Sequence, residues 1–269
     1  MRPIHKLFKL LNICLMSLGI GIILSTIIIK IHSCVFLEIT EDKKNWQDLI
    51  IHVVICVISV VYLYLYEKKS INTFTKRPPN FFRLGPGIVV AQLIMIFSMT
   101  LWTSIQQEWW KLDTQLTLHF DSTAHFLFFG ILQVTCLAAI SEELLFRGVF
   151  QPLLYTITQR RVQSILISAL LFSLIHGDRA NMSFYFIMGC FFSYLYHKTG
   201  HIIYPIIAHA MHNLCMVSII YFQIEEKLDW FMPRFTILSR MILVIGCWVI
   251  IYFYISHITK QKHKAKRLN

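Results

Sequence analysis

Hydrophobic residues fall along this chain in long runs separated by short polar links. The runs are Leu10–Ile29, Leu49–Tyr66, Gly87–Ile105, Ala124–Leu154, Val162–His176, Met182–Tyr196, Ile202–Phe222 and Phe235–His257. A helix needs about 20 mainly apolar residues to cross a hydrocarbon core about 30 Å thick. The pattern therefore predicts eight helices, the fourth long and the fifth and sixth short. The fold class read from it is all-α, a polytopic membrane protein. Leu10–Ile29 is long for a signal-peptide core and has no small-residue cleavage site before Lys30, so it reads as a retained span. The helix-breaking link Lys76-Arg77-Pro78-Pro79-Asn80 separates the first two spans from the rest.

Composition agrees with the pattern. Of the 269 residues, 56% are hydrophobic and 14% charged, too few charges to cover a soluble surface, which carries about a quarter. The net charge of +11 raises the question of nucleic acid. Its distribution answers it: the basic residues flank the apolar runs, and no basic patch interleaved with aromatics lies on a polar segment. Sixteen Lys and Arg residues fall on one set of connections, including Arg2, Lys68, Lys69, Arg160, Arg161 and Lys198, against seven on the other, including Lys30, Lys43, Lys44 and Lys111. The positive-inside rule then puts both termini in the cytoplasm. Seven cysteines are scattered, almost all of them within the apolar runs, without a CxxC pair, and they read as small packing residues. Three regions follow: 1–120 with the first three spans, 121–222 as a core of the next four, and 223–269 with the last helix and a basic tail.

Three short stretches break the apolar pattern: Glu142-Glu143-Leu144-Leu145-Phe146-Arg147, Phe172-Ser173-Leu174-Ile175-His176 and His209-Ala210-Met211-His212-Asn213. A charge at the centre of a spanning helix costs about 3 kcal/mol on insertion scales, so each stretch is a candidate functional site. On a helix Glu143 and Arg147 share a face, with the acid N-terminal in the favourable order. Glu142 is turned from Glu143 by about 100° and is left as a surplus carboxylate. Such an acid suits general-base catalysis, because withdrawal from water strengthens it as a base. Alternatively, the motif sits solvated at the interface and only anchors the helix. His176 shares a face with Phe172, and a packing role competes with a chemical one. His209 and Asn213, four apart, form a pair of donors suited to an oxyanion, with His212 close to that face. His197 and His201 beside the Lys198-Thr199-Gly200 turn read as interfacial, as do most other histidines. At about 1.5 Å per residue, Glu142 lies roughly 20 Å from Tyr155, His176 roughly 22 Å from Arg161 and His209 roughly 12 Å from His201. All three then lie within the membrane, provided the fourth span continues past the motif.

At these residues the sequence resembles the CAAX protease and bacteriocin-processing family of intramembrane endopeptidases. The EExxxR pattern fits Glu142, Glu143 and Arg147, FxxxH fits Phe172 and His176, and HxxxN fits His209 and Asn213, in the family's order. Gly189, Thr199-Gly200 and Pro205 also look like the family's approach to its last motif, and the resemblance covers about 124–215. It implies that Glu142 activates water with His176 helping to position it. Glu143 and Arg147 would brace the site, and His209 with Asn213 would stabilise the oxyanion. Glu142, His176 and His209 could in principle form a three-ligand zinc site, but no HExxH occurs and metal-free hydrolysis is favoured. The stretch Glu142–Gly148 followed by Val149-Phe150-Gln151 looks like the bacterial branch, which implies a bacterial cell-membrane protein acting on a membrane-associated peptide or protein. Two other classes compete: a membrane regulator or scaffold that keeps the protease fold, and a transporter using buried Glu and His. The sequence assigns no oligomeric interface.

Overall fold

The computed structural model describes residues 42–66, 81–111, 118, 120–224 and 235–265, and among them every regular element is a helix. The predicted span Leu10–Ile29, the link Lys76–Asn80 and the last residues of the basic tail lie outside the described residues. The other predicted runs are all helical: α1 (Asp42–Tyr66), α2 (Phe81–Trp110), α3 (Thr123–Thr158), α4 (Arg161–Ile175), α5 (Met182–Thr199), α6 (Ile203–Tyr221) and α7 (Ile237–Ala265). Among the described residues, four stretches are long and apolar enough to cross a membrane: Pro86–Trp110, Thr123–Thr158, Ile203–Tyr221 and Ile237–Tyr254. Asp48–Tyr62 and Arg161–Ile175 are shorter apolar helices. The protein is an all-helical integral membrane protein.

Local chemistry sets the helix ends. Ser122 precedes α3 in an extended conformation, and its hydroxyl accepts the His125 N–H at 3.1 Å, filling one of the donors a helix start leaves open. At the other end Gln159 turns left-handed (φ 55°) and donates its N–H to the Tyr155 carbonyl. α5 stops at Gly200, where φ is +66°, a conformation that suits a residue without Cβ. Between α4 and α5 the Asp178 carboxylate accepts the N–H groups of Ala180 and Asn181 at 3.0 and 3.1 Å, closing the turn.

The longest helix is not regular. Phe126–Ala138 and Leu144–Phe150 pair in the wider i→i+5 manner, with the five-residue α segment Ala139–Glu143 between them. Wide turns of this kind gather at functional sites. The Thr135 hydroxyl follows the same wide pitch and donates to the Gly130 carbonyl five residues back, at 3.0 Å. The helix also runs through Pro152 without a break. The wide turn just before Pro152 is where a residue lacking an N–H can be absorbed into the ladder.

Helix association in lipid gains little from hydrophobicity and depends on close packing. α4 and α5 form a hairpin whose tightest point is Gly189: a Cβ built there would lie 2.9 Å from Ala169 Cα. A core of Met95, Phe146, Phe172, Phe184, Met188, Phe192 and Tyr204 joins α2, α3, α4, α5 and α6. α1 packs along α3, and a second cluster of Tyr62, Leu144, Val149, Leu153 and Ile202 lies on that side. α7 packs on α2, where buried Arg240 pairs with Glu108 and donates to Ser104 Oγ at 3.1 Å.

Candidate active site

The five-residue α segment of α3 carries both acids of the first motif, with the helix continuing a further fifteen residues to Thr158. Glu143 points into the protein and is fully buried, as is Arg147. Arg147 Nη1 lies 2.8 Å from Glu143 Oε1, and Nη2 donates to the Gly189 carbonyl at 3.0 Å. The guanidinium sits against the rings of Phe172, Phe192 and Phe146 at 4.8, 5.3 and 5.8 Å, where cation–π attraction adds to the ion pair. The tight Gly189–Ala169 crossing brings this carbonyl within reach. Glu142 turns the other way, towards α4 and α6. Its Oε2 lies 3.8 Å from His176 Nε2 and 4.0 Å from His209 Nε2, and it is buried without a hydrogen-bond partner among the described residues.

Each histidine is held by its other nitrogen. His176 follows the last residue of α4, and its Nδ1 lies 2.8 Å from the Phe172 carbonyl. A carbonyl only accepts, so the proton is on Nδ1 and a neutral ring leaves Nε2 bare. Tyr185 from α5 stacks on the same ring, with centroids 4.0 Å apart and planes at 19°. His209 Nδ1 lies 2.9 Å from Glu143 Oε1, the oxygen that also accepts from Arg147. Phe192 stacks on the ring at 4.8 Å. A neutral His209 therefore also presents a bare Nε2, and a doubly protonated one would keep the Glu143 contact and donate from Nε2. Asn213 lies one turn further along α6, and its amide donates to the Val134 carbonyl at 2.8 Å. The two groups expected as a pair of donors are thus on one face, with Asn213 tied to α3.

Glu142, His176, His209 and Asn213 all line one cavity of about 320 Å³. Its apolar wall includes Met99, Phe172, Phe184, Met188 and Met216, and thioether side chains fit varied apolar shapes. Its polar wall contains residues that the motifs do not name: Asp48 and His52 from α1, Gln133 from α3, Tyr185 from α5 and His212 from α6. His212 is buried against Phe184, and its Nδ1 has no partner among the described residues. His52 Nδ1 lies 2.9 Å from the hydroxyl of Ser141, the residue before Glu142. Grouping most remaining histidines at the interface overlooks His52, although the cost of a polar side chain within an apolar run would have marked it. His201 is 5% exposed and accepts the Ile203 N–H at Nδ1.

The donors do not fit the zinc arrangement that the sequence allows. Among the described residues no group of three or more His, Cys, Asp or Glu side chains could hold a metal ion. Ligands about 2.0–2.1 Å from a tetrahedral zinc lie roughly 3.3 Å apart, whereas Glu142 Oε2 is 3.8 and 4.0 Å from the two imidazoles.

Residues 124–215 match the family model described as type II CAAX prenyl endopeptidase, Rce1-like. The match runs from the start of α3 into α6 and contains all three motifs. The segment holding the charged cluster is thus similar to the Rce1-like CAAX protease family, in agreement with the motif resemblance. The chain is also 34% identical over 107 residues to a Bacillus subtilis (strain 168) protein described as "Putative membrane peptidase YdiL". That alignment covers 40% of this chain and 41% of the relative, so the chain spans about two fifths of the relative it matches. No solved structure matches significantly.

Proposed function

We propose that this protein is an intramembrane endopeptidase that hydrolyses a peptide bond with a water molecule activated by Glu142. The observation that carries this reading is the setting of Glu142 Oε2: buried, without a hydrogen-bond partner among the described residues, and facing two imidazole nitrogens across gaps of 3.8 and 4.0 Å. A water between these three groups would have several polar partners, as a buried water requires. Glu142 then takes one of its protons while the oxygen bonds to the substrate's carbonyl carbon and the carbonyl π pair moves onto oxygen. His176, fixed by the Phe172 carbonyl and the Tyr185 ring, holds the water. His209, doubly protonated, and Asn213 stabilise the oxyanion, which calls for Asn213 to share its amide between Val134 and substrate. Collapse breaks the C–N bond, and the proton on Glu142 passes to the leaving amine. Glu143 and Arg147 brace His209 and the helix.

The substrate is a membrane-associated peptide or protein. This rests on the siting of the cavity within apolar helices and on the peptidase description of the relatives. Eight spans with both termini cytoplasmic is the topology we infer alongside it, from the distribution of Lys and Arg.

The test is a comparison of protein termini in bacterial membranes carrying wild-type or Glu142→Gln protein at equal levels. Termini present with the wild type and lost with the variant are the expected result. Identical sets in the two membranes would sink the reading and favour a non-proteolytic regulator that keeps the fold.

A further inference from the structure

The segment that presents Glu142 is a single turn of ordinary helix between two stretches paired i→i+5. The ladder changes its pairing at both ends of that turn, so backbone hydrogen bonds alone fix its orientation less firmly than they would in a uniform helix. A contact from outside the helix reaches this turn at Ser141. The Ser141 side chain is completely buried, and its hydroxyl donates to the Ala138 carbonyl at 2.9 Å. A serine hydroxyl has one proton. With that proton committed, Oγ meets His52 Nδ1 as an acceptor, and the 2.9 Å contact is an N–H donated by the imidazole. This also sets the tautomer of His52, leaving Nε2 bare in a neutral ring that lines the cavity.

We infer that His52 is a positioning residue for Glu142. Helix α1, outside the 124–215 segment that matches the family, clamps the turn carrying the acid through His52 Nδ1 and Ser141 Oγ. The inference rests on the proteolytic reading above. Glu143 in the same turn is tied to His209 and Arg147, and Ser141 holds the other side of Glu142, so losing the clamp frees that side of the turn to shift. The carboxylate then shifts relative to His176 and His209. Misplacement of a reacting group by about 1 Å can cost about a hundredfold in rate.

The two nitrogens of His52 can be tested separately, because an asparagine amide extends about as far as Nδ1 and a glutamine amide about as far as Nε2. The readout is the rate at which Glu142-dependent termini appear in membranes, per molecule of monodisperse protein recovered in detergent. Wild type and Glu142→Gln frame the scale, and equal rates for these two would refute the proteolytic reading itself. With that difference in place, His52→Ala, His52→Gln and Ser141→Ala should each fall about tenfold or more. His52→Asn should recover most of the loss by restoring a donor to Ser141. A glutamine that recovers activity where asparagine does not would overturn the inference, because His52 would then act at Nε2 on the cavity contents. Full activity in Ser141→Ala would overturn it as well.

Discussion

His209 shares one carboxylate oxygen with Arg147: Glu143 Oε1 lies 2.9 Å from the imidazole Nδ1 and 2.8 Å from the guanidinium Nη1. The link joins the brace to the reactive end of the site. A change at Arg147 therefore reaches His209 through Glu143, although the arginine is aimed away from the cavity.

Arg147 is predicted to be irreplaceable, even by lysine. Breaking one side of a buried ion pair costs about 3–5 kcal/mol, because the other charge is left unpaired. Lysine keeps the charge but cannot hold the Glu143 carboxylate and the Gly189 carbonyl with two arms of one planar group. Arg147→Ala should recover little folded protein, and Arg147→Lys should unfold at a clearly lower temperature in a detergent melt. A lysine variant with a wild-type melt would show that the second contact carries nothing.

Glu142→Gln should behave oppositely. Oε2 has no hydrogen-bond partner among the described residues, so an isosteric amide there removes none of the bonds seen, and the melt should stay close to wild type. Cleavage should fall about a hundredfold or more, as expected on losing a general base. Parallel loss of stability and activity would assign Glu142 to the structure instead of the chemistry.

The helix-face argument succeeds for these two acids because it needs only local geometry. Glu143 and Arg147 are four residues apart and stay on one side of α3 although Arg147 lies in a wide turn. Three other features were not legible locally. The wide turns of α3 leave no mark in hydrophobic periodicity. The bond between His52 and Ser141 spans 89 residues and depends on how α1 packs on α3. The hold of Val134 on Asn213 is likewise a product of α6 crossing α3. The order of the described helices was readable because each spanning run must be long and apolar enough for the bilayer, whereas these contacts are set by packing.

Gly189→Ala should destabilise the protein. Its Cβ would meet Ala169 Cα at 2.9 Å and Ala169 Cβ at 3.0 Å, and backbone cannot move aside as a flexible side chain can. Overpacking of this kind costs about 1–3 kcal/mol. Spreading α4 from α5 would also draw the Gly189 carbonyl from Arg147. Adding Ala169→Gly should restore part of the melt, and a double variant no better than the single one would place the strain elsewhere.

Tyr185 offers a test of how His176 is held. Its ring stacks on the imidazole, so Tyr185→Phe should keep most of the cleavage rate and Tyr185→Ala should lower it by up to about tenfold, in line with the ~0.5–1.5 kcal/mol of an aromatic pair. Equal rates in the two variants would mean that the stack does not orient His176.

Cleavage should persist in the presence of a strong zinc chelator, since the spacing of Glu142, His176 and His209 is wider than a shared zinc allows. Loss of cleavage that is restored by added zinc would show that these side chains close in on an ion.

The two wide turns of α3 give it a property that a uniform helix lacks. A ring closed i→i+5 encloses one more residue than one closed i→i+4, so Phe126–Ala138 and Leu144–Phe150 hold spare length. A single residue lost from Phe126–Ala138 could be taken up by letting one turn tighten, whereas Leu144–Phe150 holds Arg147 in register with Glu143. Ala139–Glu143 has no such reserve. It is a short splice between two wider stretches of the 36-residue helix, and a change of chain length within it would move the acid.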